Sequence, residues 1–426
     1  MSGTVTVPGD KSISHRALIL GAIAEGQTDI TGFLAGEDCM ATLAAIRALG
    51  ASISEVDDTT IRIDGVGLHG LSEPGEALNL GNSGTGMRLL AGLLCGQTFD
   101  CTLTGDNSLS CRPMQRIIEP LSQMGAKVDS DDGKPPLTIH GGRELAGIHY
   151  ALPVASAQVK SAILLAGLYV HGETTVVERA ATRDHTERML KSMGANLSGD
   201  SGRIRLQETD RLNATSIKVP ADLSSAAFVI LATLIAKDAE VLITSVGVNP
   251  TRTGVIEILR EMGGDISIEN PQFAGDEPIA DIRVKSSVLH GIAVDPALVP
   301  LAIDEFPVLF IAAANAIGST RFSEIGELRV KESDRIGAMA DGLRQMGIKI
   351  DESEDGVEIH YGEPTGATVD SHGDHRVAMA FAVAGTIADA AVRIRNVDAV
   401  NTSFPAFSDV MDALGANVTE GPSINT

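Results

Sequence analysis

Two hydrophobic patterns alternate along the 426-residue chain, and they recur in step. The first opens on small, polar or charged residues and then turns apolar on nearly every side. It is seen in SHRALILGAIAEG, GTGMRLLAGLLCGQ, SAQVKSAILLAGLYVHG, SSAAFVILATLIAKD, DEFPVLFIAAANAIG and DHRVAMAFAVAGTIAD. Segments without a polar face predict helices buried on all sides rather than amphipathic surface helices. The second pattern is a shorter amphipathic stretch closed by Leu-Gly, Met-Gly or their like: IRALGASI, LSQMGAKV, LKSMGANL, LREMGGDI, LRQMGIKI and MDALGANV. The glycines are Gly50, Gly125, Gly194, Gly263, Gly347 and Gly415, at intervals of 75, 69, 69, 84 and 68 residues. Each predicts an outer helix stopped by a left-handed glycine, with an alternating strand after it. One unit then reads strand, buried helix, strand, outer helix, two strands. Six such units fill the chain, and grouped three and three they predict two similar domains with a break near residues 218–225.

Hydrophobic residues make up 43% of the sequence and charged residues 21%, enough for two cores. The formal net charge of −23 argues against nucleic acid or an anionic membrane surface as partner. Cys39, Cys95, Cys101 and Cys111 show no metal or disulfide spacing and read as reduced thiols of a cytoplasmic protein. No run predicts a membrane span, and no signal-peptide pattern is present.

Against that acidic background, cations gather where the buried helices begin. Lys11, Ser12 and Arg16 open the first; Asn82, Gly84 and Thr85 open the second, with Arg112 further on. Ser156 and Gln158 open the third, followed by Arg183 in TRDHTERM. Asp304 precedes the fifth, followed by Arg329, Lys331, Glu332, Asp334 and Arg335 in ELRVKESDR, and Asp374, His375 and Arg376 open the sixth. First-turn N–H groups and the helix dipole are both anion-attracting. Three parallel helices per domain would present one such face, and two faces would make a cleft for a ligand with several negative charges. GNSGTG matches neither a dinucleotide fingerprint nor a P-loop. With RVKESDR taken as helix, Lys331 and Arg335 are like charges at i,i+4, which favours an anion between them. Lys160 and Arg88, inside helices, are expected to be structural, and Asp374 to be an N-cap.

GDKSISHRALILGAIAEG, LGNSGTGMRLL, ASAQVKSAILLAGL, TRDHTERM, RVKESDR and DHRVAM, in this order and spacing, resemble the 5-enolpyruvylshikimate-3-phosphate synthase family over nearly the whole chain. The resemblance implies an inside-out α/β barrel of two domains built from six βαβαββ repeats, with buried parallel helices whose N-termini face the interdomain cleft. The first domain would be residues 10–219, mainly on the shikimate 3-phosphate side. The second would be 1–9 plus 220–426, mainly on the phosphoenolpyruvate side. It further implies transfer of the enolpyruvyl group of phosphoenolpyruvate to the 5-hydroxyl of shikimate 3-phosphate, with release of phosphate, no metal and no organic cofactor, in a monomer.

The residue roles follow from the same resemblance. Ser12 and Arg16 would take the shikimate carboxylate; Ser156, Gln158, Arg183 and Lys331 its phosphate. Lys11, Asn82, Gly84, Arg112 and Gln158 would face the phosphoenolpyruvate phosphate, and Arg335 and Arg376 its carboxylate. Asp304 would be the base at the 5-hydroxyl, in contact with shikimate 3-phosphate, and Glu332 with Lys11 the acid at the methylene carbon. Many members carry a Lys where this chain has Thr402 in NTSFP. TRDHTE and ELRVKESDR resemble class II forms, in which Arg183 replaces a Tyr; some of these have Ala where this chain has Gly84. Glyphosate occupies the phosphoenolpyruvate site in the family, so Gly84 implies room for it. The rival reading is the sister transferase acting on UDP-N-acetylglucosamine. That family has a Cys five residues before an Arg-Pro pair; here the position is Asn107, and Cys111 adjoins Arg112. A non-catalytic anion binder on the same barrel would be expected to lack Asp304, Glu332 or Lys11, all of which are present.

Overall fold

The structure, a computed structural model, describes residues 1–200, 202–419 and 421. The chain divides into two compact units: Gly9–Val219 with Ala274–Glu277, and Met1–Pro8 with Pro220–Phe273 and Pro278–Thr426. Residues 420 and 422–426 of the expected second domain lie outside the described residues. The four-residue piece Ala274–Glu277 groups with the first unit, which the sequence did not suggest; it lies at the turn between strands Asp265–Ala274 and Glu277–Lys285.

Each unit is organised around three of the all-round apolar helices. In the first these are α1 (Lys11–Ala22), α2 (Gly84–Leu94) and α3 (Ala157–Gly167). In the second they are α4 (Leu223–Ile235), α5 (Phe306–Ala314) and α6 (His375–Gly385). Every residue of α4 and α5 is buried. Polar N-caps set where most of these helices start. Asp10 accepts from Ile13 N at 2.9 Å, Ser83 from Gly86 N at 3.0 Å, Asp222 from Ser224 N at 3.0 Å and Asp374 from Arg376 N at 2.9 Å. Close packing fixes them against one another. A Cβ on Gly92 would sit 2.3 Å from the Ala162 carbonyl oxygen, so the crossing of α2 and α3 requires glycine there. In the second unit Phe306 packs edge-to-face on Phe310 and Phe322, which are tilted against each other, with centroids 5.1–6.1 Å apart; this cluster anchors α5 just after Asp304.

The outer helices end as the glycine spacing predicted. Gly50, Gly125, Gly194, Gly263, Gly347 and Gly415 all adopt positive φ, between 83° and 100°. Strand pairing follows a common plan, a leading strand parallel to the first strand of an antiparallel run. In the first repeat Leu212–Asn213 and Ile217–Lys218 lie parallel to Ala24–Thr31, which pairs Thr60–Val66 and then Ser52–Asp57. In the fourth, Ser2–Val5 lies parallel to Glu240–Gly247, which pairs Glu277–Lys285. Each unit therefore closes by taking a leading strand from the far end of its own sequence. The sixth repeat departs from expectation: among the described residues its sheet is only Thr368–Asp370 beside Arg393–Arg395.

Candidate active site

In the first unit, the starts of α1, α2 and α3 gather the predicted anion-binding residues into two groups. One centres on Arg16, whose side chain is 3% exposed. Its Nε donates to Thr186 Oγ1 at 2.7 Å, Nη2 to Ser161 Oγ at 2.9 Å and Nη1 to the Ser12 carbonyl at 2.9 Å. Arg183 Nη1 donates to Ser12 Oγ at 3.4 Å. Burial pushes the Arg16 pKa down to about 10; Glu187 opposes that shift and Arg183 adds to it. Ser156 caps α3 through Val159 N at 3.4 Å.

The second group surrounds Gly84. Arg112 Nη2 donates to Asn82 Oδ1, and to Ser108 Oγ at 3.2 Å. Asn82 Nδ2 in turn donates to Asp106 Oδ2 at 2.8 Å. Gln158 Nε2 donates to Thr85 Oγ1 at 2.8 Å, and Gln158 Oε1 accepts from Arg88 Nη1 at 2.5 Å. A Cβ on Gly84 would lie 3.0 Å from Arg112 Nη1 and 3.1 Å from Arg88 Nη1. Arg88 thus lies at this mouth, between Gly84 and Gln158. The signal was its place one turn after Gly84 on the same helix.

Lys11 Nζ pairs with Asp38 Oδ2 at 2.7 Å, a partner the sequence reading missed. Behind the mouths, His15 bridges elements: Nδ1 is 2.9 Å from Thr42 Oγ1 and Nε2 3.4 Å from Ser83 Oγ. Burial, then Lys11 and Arg16, push its pKa down to about 3, so it is neutral wherever the protein works near neutrality.

In the second unit three cations surround Asp304. Arg335 Nη1 donates to Asp304 Oδ1 at 3.4 Å, Lys331 Nζ is 3.9 Å from the same oxygen, and Arg376 Nη2 is 4.0 Å from Oδ2. Arg376 Nη1 also donates to the Asp304 carbonyl at 3.0 Å. Arg335 is 1% exposed and engages two further carboxylates: Nε to Asp374 Oδ2 at 2.8 Å, Nη2 to Asp374 Oδ1 at 3.4 Å and to Glu332 Oε2 at 2.6 Å. Burial opposes the Arg335 charge, but Asp374, Glu332 and Asp304 outweigh it and raise its pKa. Burial lowers the pKa of Lys331, with Asp304 and Glu327 opposing. Asp374 is an N-cap, as expected, and also holds Arg335.

RVKESDR is not one helix. Gly326–Val330 is a 3-10 turn, the chain bends through Lys331–Ser333, and the α-helix starts at Arg335 with Asp334 as N-cap. Lys331 and Arg335 therefore share no i,i+4 face; they meet at Asp304. Arg329 pairs with Asp334 at 2.7 Å and Glu352 at 3.1 Å. Thr402 is buried, and its hydroxyl donates to the Ala399 carbonyl of its own turn at 2.7 Å. Each cysteine is a free thiol, with only Cys111 exposed. Among the described residues no group of three His, Cys, Asp or Glu is arranged to hold a metal ion, and no helix is long and apolar enough to cross a membrane.

The model of the EPSP synthase (3-phosphoshikimate 1-carboxyvinyltransferase) family matches residues 1–411. A 3-phosphoshikimate 1-carboxyvinyltransferase of Methylococcus capsulatus is 55% identical over 419 residues, covering 98% of this chain and 96% of that one. One from Legionella pneumophila is 53% identical over 420 residues, covering 99% and 97%. A solved structure of EPSP synthase from Acinetobacter baumannii aligns with a TM-score of 0.86 at 52% identity, covering 98% of this chain and 96% of that one.

Proposed function

Because the chain belongs to the EPSP synthase family, we infer that it transfers the carboxyvinyl group of phosphoenolpyruvate to the 5-hydroxyl of shikimate 3-phosphate. The observation that carries the reading is Asp304, a carboxylate within 4.0 Å of Lys331, Arg335 and Arg376 and still 18% exposed. A proton acceptor that a substrate hydroxyl can reach, set among groups that attract anions, suits the first step.

In that step the 5-hydroxyl oxygen bonds to C2 of phosphoenolpyruvate, its proton passes to Asp304, and C3 takes a proton from Glu332 or Lys11. In the second step C3 returns a proton, the C2–O bond to phosphate breaks, and inorganic phosphate leaves with that electron pair. The first unit supplies anion sites. Ser12 and Arg16 suit the shikimate carboxylate, with Ser156, Gln158 and Arg183 for its phosphate. Asn82, Gly84, Arg112, Gln158 and Lys11 suit the phosphoenolpyruvate phosphate, and Arg88 joins them by position. Of the two arginines for the phosphoenolpyruvate carboxylate, Arg376 is the more available. Four of the five Arg335 N–H bonds already go to carboxylates, so Arg335 mainly holds Glu332 and Asp304 in place.

Phosphate release from phosphoenolpyruvate tests the reading, with shikimate 3-phosphate, UDP-N-acetylglucosamine or no acceptor. Release only with the first supports it. Release with the second would establish the sister activity, and no release with either would leave an anion-binding protein.

A further inference from the structure

A lysine inside a core must answer for its charge, and Lys160 lies on α3 with a side chain of 0% exposure. Its Nζ is 2.6 Å from Glu187 Oε1 and 3.0 Å from Glu178 Oε1, and donates to the Thr182 carbonyl at 3.4 Å. These three partners mark out one loop. Glu178 follows directly on strand Glu173–Val177, Thr182 lies within the loop, and Glu187 is in the first turn of helix His185–Ser192. One ammonium group thus holds the loop at its start, middle and end. Thr182 Oγ1 donates to Glu178 Oε1, and Glu178 N to the Gly202 carbonyl at 2.7 Å, which close the loop further.

The residue after Thr182 is Arg183, which reaches Ser12 Oγ. The residue before Glu187 is Thr186, which accepts from Arg16 Nε and lies 2.8 Å from Ser161 Oγ. Two of the predicted ligands of shikimate 3-phosphate therefore depend on the clamped loop: Arg183 belongs to it, and Arg16 donates to its Thr186.

We propose that Lys160 is a positioning residue: by fastening residues 178–187 to α3 it sets Arg183 and Thr186 where shikimate 3-phosphate needs them. The proposal rests on the reading of Arg183 as a ligand of that substrate's phosphate. Stability alone does not call for a lysine here. Taking an ammonium group and two carboxylates out of water is costly, and apolar side chains of similar size commonly replace such clusters without loss. Burial raises the pKa of Glu187, with Lys160 as the main opposing influence. Glu187 Oε2 has no hydrogen-bond partner among the described residues. The cluster is thus imperfectly satisfied as a stabilising device. What it does supply is a fixed distance from α3, which carries Ser156 and Gln158, to the loop that carries Arg183.

The test uses the full chain and a double-mutant cycle with Arg183→Ala. Lys160→Met leaves two carboxylates facing each other, so it is paired with the uncharged triple variant Lys160→Met, Glu178→Gln, Glu187→Gln, which leaves no buried charge unmatched. The triple variant is expected to keep its melting temperature. Its KM for shikimate 3-phosphate should rise about tenfold or more, the scale of a misplaced binding group, while its KM for phosphoenolpyruvate moves much less. In the Arg183→Ala background the same three substitutions should add little. An unchanged KM in the triple variant, or effects that multiply fully with Arg183→Ala, would overturn the role of Lys160. An unchanged KM in Arg183→Ala alone would instead overturn the reading of Arg183, and the proposal with it.

Discussion

Arg16 and Arg335 are two nearly inaccessible arginines, 3% and 1% exposed; Arg16 lies in the second turn of α1, and Arg335 is the first residue of a helix in the other unit. Their surroundings are opposite. Arg16 donates to two hydroxyls and a carbonyl, and its pKa is pushed down; Arg335 donates to Asp374, Glu332 and Asp304, and its pKa is raised. A buried cation among neutral partners keeps an unmet demand for negative charge, which an anionic ligand can satisfy. A buried cation among carboxylates has met that demand and serves to hold them in place.

Glutamine at each position would separate the two cases. Arg335→Gln strands Asp374 and Glu332 and should destabilise the protein by about 3–5 kcal/mol, read as a lowered denaturation midpoint. Arg16→Gln removes an unmet charge. The unliganded protein should lose clearly less stability than with Arg335→Gln, while KM for shikimate 3-phosphate rises about tenfold to a hundredfold, the worth of a hydrogen bond to a charged group. Equal loss of stability in both variants would break the contrast.

Asp304→Asn keeps the shape but not the basicity. Turnover should drop by about 10²-fold, with shikimate 3-phosphate binding retained by calorimetry. Near-normal turnover would remove Asp304 from the mechanism. Gly84→Ala has a smaller expected effect. The new methyl would press at 3.0 and 3.1 Å on the mobile ends of Arg112 and Arg88 rather than on backbone. Both must shift, so KM for phosphoenolpyruvate should rise several-fold. Competitive inhibition by glyphosate should weaken more, by about tenfold or above. Equal inhibition constants for the two proteins would move control of that pocket elsewhere.

The smallest effect concerns Lys331. Its pKa is lowered, so its charge is lost as pH rises through a value below that of an ordinary lysine. Affinity for shikimate 3-phosphate should therefore fall on the alkaline side, and Lys331→Arg, which stays charged, should shift that limb upward. Coincident profiles would show that another group sets it.

What the sequence disclosed were features enforced by the backbone. Six glycines at helix ends predicted six left-handed residues, because few other residues adopt that conformation cheaply. The all-round apolar helices and their N-caps were readable for a similar reason: burial leaves few other compositions. Side-chain destinations were less readable. RVKESDR looked helical, but Asp334 captures the N–H of Gly337, and the helix begins only at Arg335. Arg329 found Glu352, 23 residues away in sequence, and Lys11 found Asp38, 27 away. Such pairings depend on which strands and turns come together, which no local pattern states. Lys160 is the sharpest case: its helix-interior position suggested a structural role, and only the folded loop shows which two glutamates meet it.

The borrowed leading strands also bear on how the chain matures as it is made. The core of the first unit draws only on residues between Ile13 and Val219, so it can assemble once that length has left the ribosome. The core of the second unit includes Val7, and Ser2–Val5 must wait for Glu240–Gly247 before it has a neighbour. Ser2–Val5 thus stays without its neighbour until residues 240–247 are present. Its partner strand lies more than 230 residues away in sequence, whereas the core of the first unit is complete in sequence by residue 219.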